Sequence, residues 1–140
     1  MLDCKSQQNQ DRYEQSISQI AAITLKDGGA AFKLDSCQFL ERMDIWAFPK
    51  YPSRTAILPR GINLIEALRD FISINEQFLL EPDCWLGTWM HPQTGDFYLD
   101  IATGCRDFDE ARLQALEASQ HDGRKIVAVY NSKRRQTIYL

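Results

Sequence analysis

Histidine is scarce in this chain, with only His91 and His121 among 140 residues. Neither stands beside a serine or cysteine in the tight strand-to-helix turn that an exposed nucleophile needs. Acid–base and nucleophilic catalysis have little to build on, so both histidines read as structural. His91 precedes Pro92 in a turn, and His121 falls at a helix C-terminus, where the macrodipole favours a cation. Glycine-rich phosphate loops are missing too: Gly28-Gly29 and Gly104 stand apart, without a Walker or dinucleotide fingerprint. No apolar run nears the roughly 18 residues of a membrane helix. Residues 1–15 are polar and lack the apolar core of a secretory signal. The expectation is a cytoplasmic protein with no membrane partner. Cys4, Cys37, Cys84 and Cys105 are too widely spaced for a zinc knuckle or a redox pair. We expect separate thiols, with Cys84 and Cys105 buried, and no cofactor. A zinc site from Cys84, His91, Cys105 and His121 would need the fold to gather all four, since no local pair nucleates it.

What is present describes one ordinary domain. A chain of this length with 44% apolar and 25% charged residues buries enough surface for its own core. Three Trp, five Tyr and seven Phe exclude disorder throughout. A formal net charge of −3 excludes a nucleic-acid binder driven by whole-chain charge.

Hydrophobic spacing predicts a flexible tail over residues 1–10 and a single α+β domain over residues 11–140. Tyr13, Ile17, Ile20, Ala21 and Thr24 line one stripe of a first helix, stopped by Gly28. Strand-like runs follow at residues 30–34 and 45–48. Proline cannot donate to a ladder, so the second run ends at Pro49 or lies on an edge. Residues 49–61 read as a loop. Asn63 and Glu66 form a capping pair for a second helix. There Ile65, Leu68, Phe71, Ile72 and Leu79 face inward and Asn75 outward, with Pro82 beyond the end. A hairpin follows, with Trp85, Gly87 and Trp89 on one face of its first strand and Phe97, Leu99 and Ile101 on one face of its return. The turn 91–95 needs a left-handed glycine at Gly95. Asp107 and Glu110 cap a third helix, with Ala111, Ala115 and Ala118 inward and Leu113 and Leu116 widening the stripe, up to Gly123. Strands at 125–130 and 136–140 close the chain. The expected order is α-β-β-α-β-β-α-β-β. The expected architecture is one antiparallel sheet of four to six strands, with about three helices mainly on one face and the other face partly solvated.

Three groups carry candidate chemistry. Asp96, Asp100 and Glu110, with Lys125, could hold a metal for phosphodiester hydrolysis. Asp96 and Asp100 share a strand face but lie roughly 13 Å apart at about 3.3 Å per residue, so Glu110 must help. The structural alternative makes Asp96 a turn residue and lets Asp100 tether a loop at 103–104. A basic cluster, Arg124, Lys125, Lys133, Arg134 and Arg135, interleaves Tyr130 and Tyr139 and suits phosphates and stacked bases. Hairpin-tip cations equally serve solubility and block edge pairing. Trp85, Trp89 and Tyr98 project to one side of the central hairpin, with Gly87 leaving a slot between the tryptophans. Exposed, they form a platform for a partner protein or a planar ligand. The rarity of large exposed aromatic patches favours the core instead.

The runs 86–89 (LGTW) and 94–101 (TGDFYLDI), with Ala111, Ala115, Gln120 and 126–129 (IVAV), resemble a set of short bacterial and phage-borne proteins of unassigned function. The resemblance covers residues 84–140 and departs at 120–123, where a longer turn precedes the strand. It implies a small accessory protein of mobile-element type, without chemistry or catalytic residues. The leading expectation is a non-enzymatic interaction module, acting through Trp85, Trp89 and Tyr98 or through Lys133, Arg134 and Arg135. The alternatives are the metal-dependent hydrolase and nucleic-acid binding by the C-terminal hairpin. An exposed sheet face or edge strand also allows a homodimer.

Overall fold

A computed structural model describes residues 10–140. Of the tail predicted over residues 1–10, residues 1–9 lie outside the described residues, and Gln10 is the first residue of a helix rather than the last of a tail. In chain order the elements are α1 (Gln10–Asp27), β1 (Gly29–Lys33), β2 (Gln38–Phe39), β3 (Trp46–Pro49), a short 3-10 turn (Pro52–Arg54) and β4 (Ala56–Leu58). There follow α2 (Leu64–Leu79), β5 (Trp85–Met90), β6 (Phe97–Cys105), α3 (Phe108–Asp122), β7 (Ala128–Asn131) and β8 (Gln136–Tyr139). The fold is α+β with a single antiparallel sheet, as expected. The sheet has eight strands, not four to six. The extra ones, β2 and β4, are two and three residues long. Strands that short carry too few residues to display a period of two. β6 also runs on through Thr103 and Gly104, where a loop was expected.

The strand order is β2-β1-β5-β6-β3-β7-β8, and β4 also pairs with β6. β6 pairs with β5 along one edge and divides its other edge between two partners. Phe97–Leu99 pair with β4, and Ala102–Cys105 with β3. Between those ladders the chain leaves the sheet at residues 50–55, held by one bond from Lys50 N to Ile101 O. Pro49 ends β3, as a residue without an N–H should.

Register assigns the two faces. Phe32, Leu86, Phe97, Leu99, Ile101, Trp46, Phe48 and Val129 all point one way and are buried. α1 and α2 cover the β1–β5–β6 half of that face through Ile17, Ile20, Leu68 and Ile72. The third helix covers the β3–β7 half with its alanines, Ala111 and Ala115, whose small size lets the helix lie close. Trp46 and Phe108 meet edge to face there, 5.1 Å between centroids. A buried hydroxyl pair, Thr24 and Thr88 at 2.6 Å, ties α1 to β5, while Thr24 Oγ1 also donates to Ile20 O.

The helix caps are as read. Asn63 and Asp107 side chains accept from Glu66 N and Glu110 N, and Gly123 ends α3 in the left-handed region at φ 70°. Some side chains face otherwise. Ile65, Leu113 and Leu116 are exposed rather than inward. Ile65 and Leu116 lie one step off the stripes that α2 and α3 bury, and Leu113, two steps from both Ala111 and Ala115, lies on the far side of α3. Asn75 is buried, not on the polar face. Its backbone is non-helical and kinks α2, its Nδ2 donates to Phe71 O, and Arg54 Nη1 donates to its Oδ1. A polar residue can sit inside only with such partners. Cys37 is disulfide-bonded and Cys105 only partly buried, so the expectation of four separate thiols with both later ones buried fails in those respects. No helix among the described residues is long and apolar enough to cross a membrane.

Close approach sets one glycine. A Cβ on Gly104 would lie 2.5 Å from Ile45 Cγ2 and 2.7 Å from Trp46 O, a backbone atom that cannot step aside. Gly104→Ala is expected to cost about 1–3 kcal/mol, the range for overpacking, measured by urea unfolding.

Candidate functional site

With all three helices on one face, the opposite face of the sheet is open, and it is concave. A cavity of about 570 Å³ lies on it. Its floor is made of small residues that alternate with buried core positions: Ala31 on β1, Gly87 on β5, Ala47 on β3 and Ala102 on β6. Trp85, Trp89 and Tyr98 rise from that floor and remain partly accessible. The expectation that these aromatics belong to the core is therefore corrected. The helices bury Leu86, Thr88, Leu99 and Ile101, and alternation sends their neighbours to the other side. Trp89 and Tyr98 are cross-strand partners with ring centroids 5.2 Å apart.

The slot expected at Gly87 is present. Gly87 pairs with Asp100, and a Cβ at 87 would lie 3.1 Å from Ala102 Cβ and 3.9 Å from Asp100 Cβ. Asp100 thus lies across from the strand position midway between Trp85 and Trp89. Asp100 lies where β6 changes partners, and the chain leaving the sheet there supplies its neighbours. Thr55 Oγ1 donates to Asp100 Oδ1 at 2.7 Å, and Arg124 Nη1 donates to Thr55 O at 2.8 Å. Burial in these apolar surroundings pushes the Asp100 carboxyl up to about 6, against the opposing pull of the Thr55 bond and the Arg124 charge.

The other candidate groups are dispersed. Among the described residues, the one set of three metal-ligating side chains within reach of one another is Glu81, Asp83 and Cys84. Asp96, Asp100 and Glu110 are thus not gathered. Asp100 faces the cavity, and Glu110 is on α3, where its Oε1 accepts from Gln114. The loop tether expected of Asp100 is replaced by its bond to Thr55. Cys84, His91, Cys105 and His121 do not converge either. At Glu81 and Asp83 the cation is already supplied: Lys50 Nζ lies 2.7 Å from Glu81 and 3.0 Å from Asp83. The Lys50 bond holds Glu81 below its usual range. Burial opposes the charge of Asp83, but Lys50 outweighs it. Burial, with those acids beside it, pushes the Cys84 thiol up to about 12, so it is an inert thiol.

His91 organises its turn. Its Nδ1 accepts from Gln93 N and Thr94 N, its ring packs on Trp89, and Gly95 takes φ 76°. His121 is exposed near the end of α3, while its neighbour Asp122 ties that helix to Ser53. The basic cluster divides. Arg124 and Lys125 line the cavity, whereas Arg134 is held in a two-point contact with Asp44 (2.8 and 3.1 Å) and lies over Trp46. Lys133 and Arg135 are exposed in the β7–β8 turn. Thr55 and Ala31 escaped the sequence reading altogether. The alternation of small residues with core residues on β1, β5 and β6 was the available signal.

No family model matches the chain, and comparison with curated proteins and with solved structures gives no match.

A carboxyl raised in the folded state binds more protons folded than unfolded, so its contribution to stability falls as pH rises from 3.8, its ordinary value, through about 6. Asp100→Asn keeps the Thr55 bond and removes the charge. The variant is expected to be more stable than the native protein at pH 8, by about 1–2 kcal/mol, with the gap closing toward pH 4. Thermal melts across that range check it, and a pH-independent difference would refute the assignment.

Proposed function

We propose that this chain is a non-enzymatic binding module whose concave sheet face takes a small, planar organic molecule. The observation that carries the reading is the cavity of about 570 Å³ with Trp85, Trp89 and Tyr98 as its walls. Small-molecule sites run from about 300 to 1,000 Å³, mostly apolar with few polar groups, and this one has that make-up. A recess of this volume suits a compact molecule better than the broad contact a protein partner makes. Aromatic walls over a floor of glycine and alanine suit a flat ligand, which meets them by stacking. Among the described residues no histidine or cysteine lines the cavity, and its polar groups are carboxylates, cations, hydroxyls and backbone.

N-phenyl-1-naphthylamine, a neutral planar dye that brightens in apolar surroundings, tests the reading. Titration is expected to give a saturable rise in emission with native protein. Gly87→Val fills the slot and should weaken the dye by about tenfold or more, about 1.4 kcal/mol, while unfolding stays cooperative. Ala31→Leu fills the same slot from β1 and serves if the first variant fails to fold. Arg135→Ala, remote from the cavity, should bind as the native protein does. No saturable signal, or equal binding by both plugged variants, overturns the proposal.

A further inference from the structure

Asp100 has one carboxylate oxygen in use. Its Oδ1 accepts from Thr55 Oγ1, and no other hydrogen bond or ion pair reaches the group. Among the described residues every sealed side-chain nitrogen or oxygen has a partner. Oδ2 has none, so it is not sealed, and Asp100 is part of the cavity lining. Arg124, the nearest cation, does not close this account. Its Nη1 is committed to the Thr55 carbonyl and it forms no salt bridge with Asp100. The remaining charged residues of the lining, Asp27, Glu41, Arg42 and Lys125, balance one another in sign. A carboxylate brought out of water on one side only is short of compensation, and a donor cation at the open oxygen supplies it.

The flanking rings favour the same kind of ligand. Trp85 and Trp89 stand roughly 13 Å apart along β5 at about 3.3 Å per residue, with Asp100 across from the midpoint. The electron-rich faces of tryptophan and tyrosine attract a desolvated cation. We infer that the molecule held on this face is a planar organic cation, its amidinium or ammonium group docked on Asp100 Oδ2 and its apolar body against Trp85, Trp89 and Tyr98. The inference rests on the ligand-binding reading above and names the ligand class of that site. It also implies a pH dependence: Asp100 loses its charge on acidification through about 6, and among the described residues the charged group acting on it is Arg124.

Three probes of one shape and different charge separate the possibilities: benzamidine, a cation; benzamide, neutral; and benzoate, an anion. Each is titrated at pH 8 against native protein loaded with N-phenyl-1-naphthylamine, and dye displacement is read, with calorimetry as a second readout. Benzamidine should displace the dye at least about tenfold more strongly than benzamide, with benzoate weakest. Its advantage should shrink at pH 5, and Asp100→Asn should abolish it. Dye binding with benzamide or benzoate equal to or better than benzamidine overturns the inference and leaves the planar-ligand reading standing. No dye signal, with no heat from benzamidine, removes both.

Discussion

The sheet is arranged around the pairing of β6. It is the longest strand, nine residues, and it has β5 along one edge. Its other edge serves β4 first and β3 afterwards. Each half of the sheet then recruits its own helices, α1 and α2 over the β4 end and α3 over the β3 end, all onto one face. An antiparallel sheet needs only one buried face, so the helices can gather there and leave the other to solvent or ligand. The division of the β6 edge also creates a gap in the ladder. The chain that leaves the sheet at that gap brings Thr55 to Asp100 and gives Arg124 a carbonyl to bind. The position of the carboxylate is a consequence of the topology.

The open face is built at some cost to stability. Asp100 is charged where solvation is poor, and Gly87 gives up the packing and the backbone restriction that a larger strand residue would add. Both choices oppose the fold and favour access. The Lys50–Glu81–Asp83 group looks chemically richer but is closed on itself, with a lysine in the position where a cation would bind and a thiol that is not ionised. The two groups differ in what they leave open: Asp100 keeps one oxygen without a partner, whereas that cluster is satisfied.

Much of the fold could be read locally. The caps at Asn63 and Asp107, the stops at Gly123 and the turn at Gly95 are short-range rules, and each holds. The alternation of the central hairpin correctly put Trp85, Gly87 and Trp89 together, and Leu99 and Ile101 on the side opposite Tyr98 and Asp100. Failures came where a residue answers to distant contacts. β2 and β4 are held by their neighbours rather than by any pattern of their own. Asn75 is polar by composition and buried because Arg54, far off in the chain, binds it. Asp96, Asp100 and Glu110 looked like a set in sequence and are separated because α3 lies on the helix face while Asp100 points away from it.

Local pattern was enough for the helices, the six longer strands and the side chains that share a strand face, because backbone geometry repeats with a fixed period whatever the surroundings. It also determined that tryptophan, tyrosine and aspartate would crowd one hairpin. That this side stays open was settled by the packing of the helices. Which face is covered depends on where three helices, distant in sequence, find a common apolar surface, and no local period encodes that. The meeting of Asp100 with Thr55, 45 residues away, belongs to the same class of fact. It exists because β6 changes partners there, a property of the whole sheet.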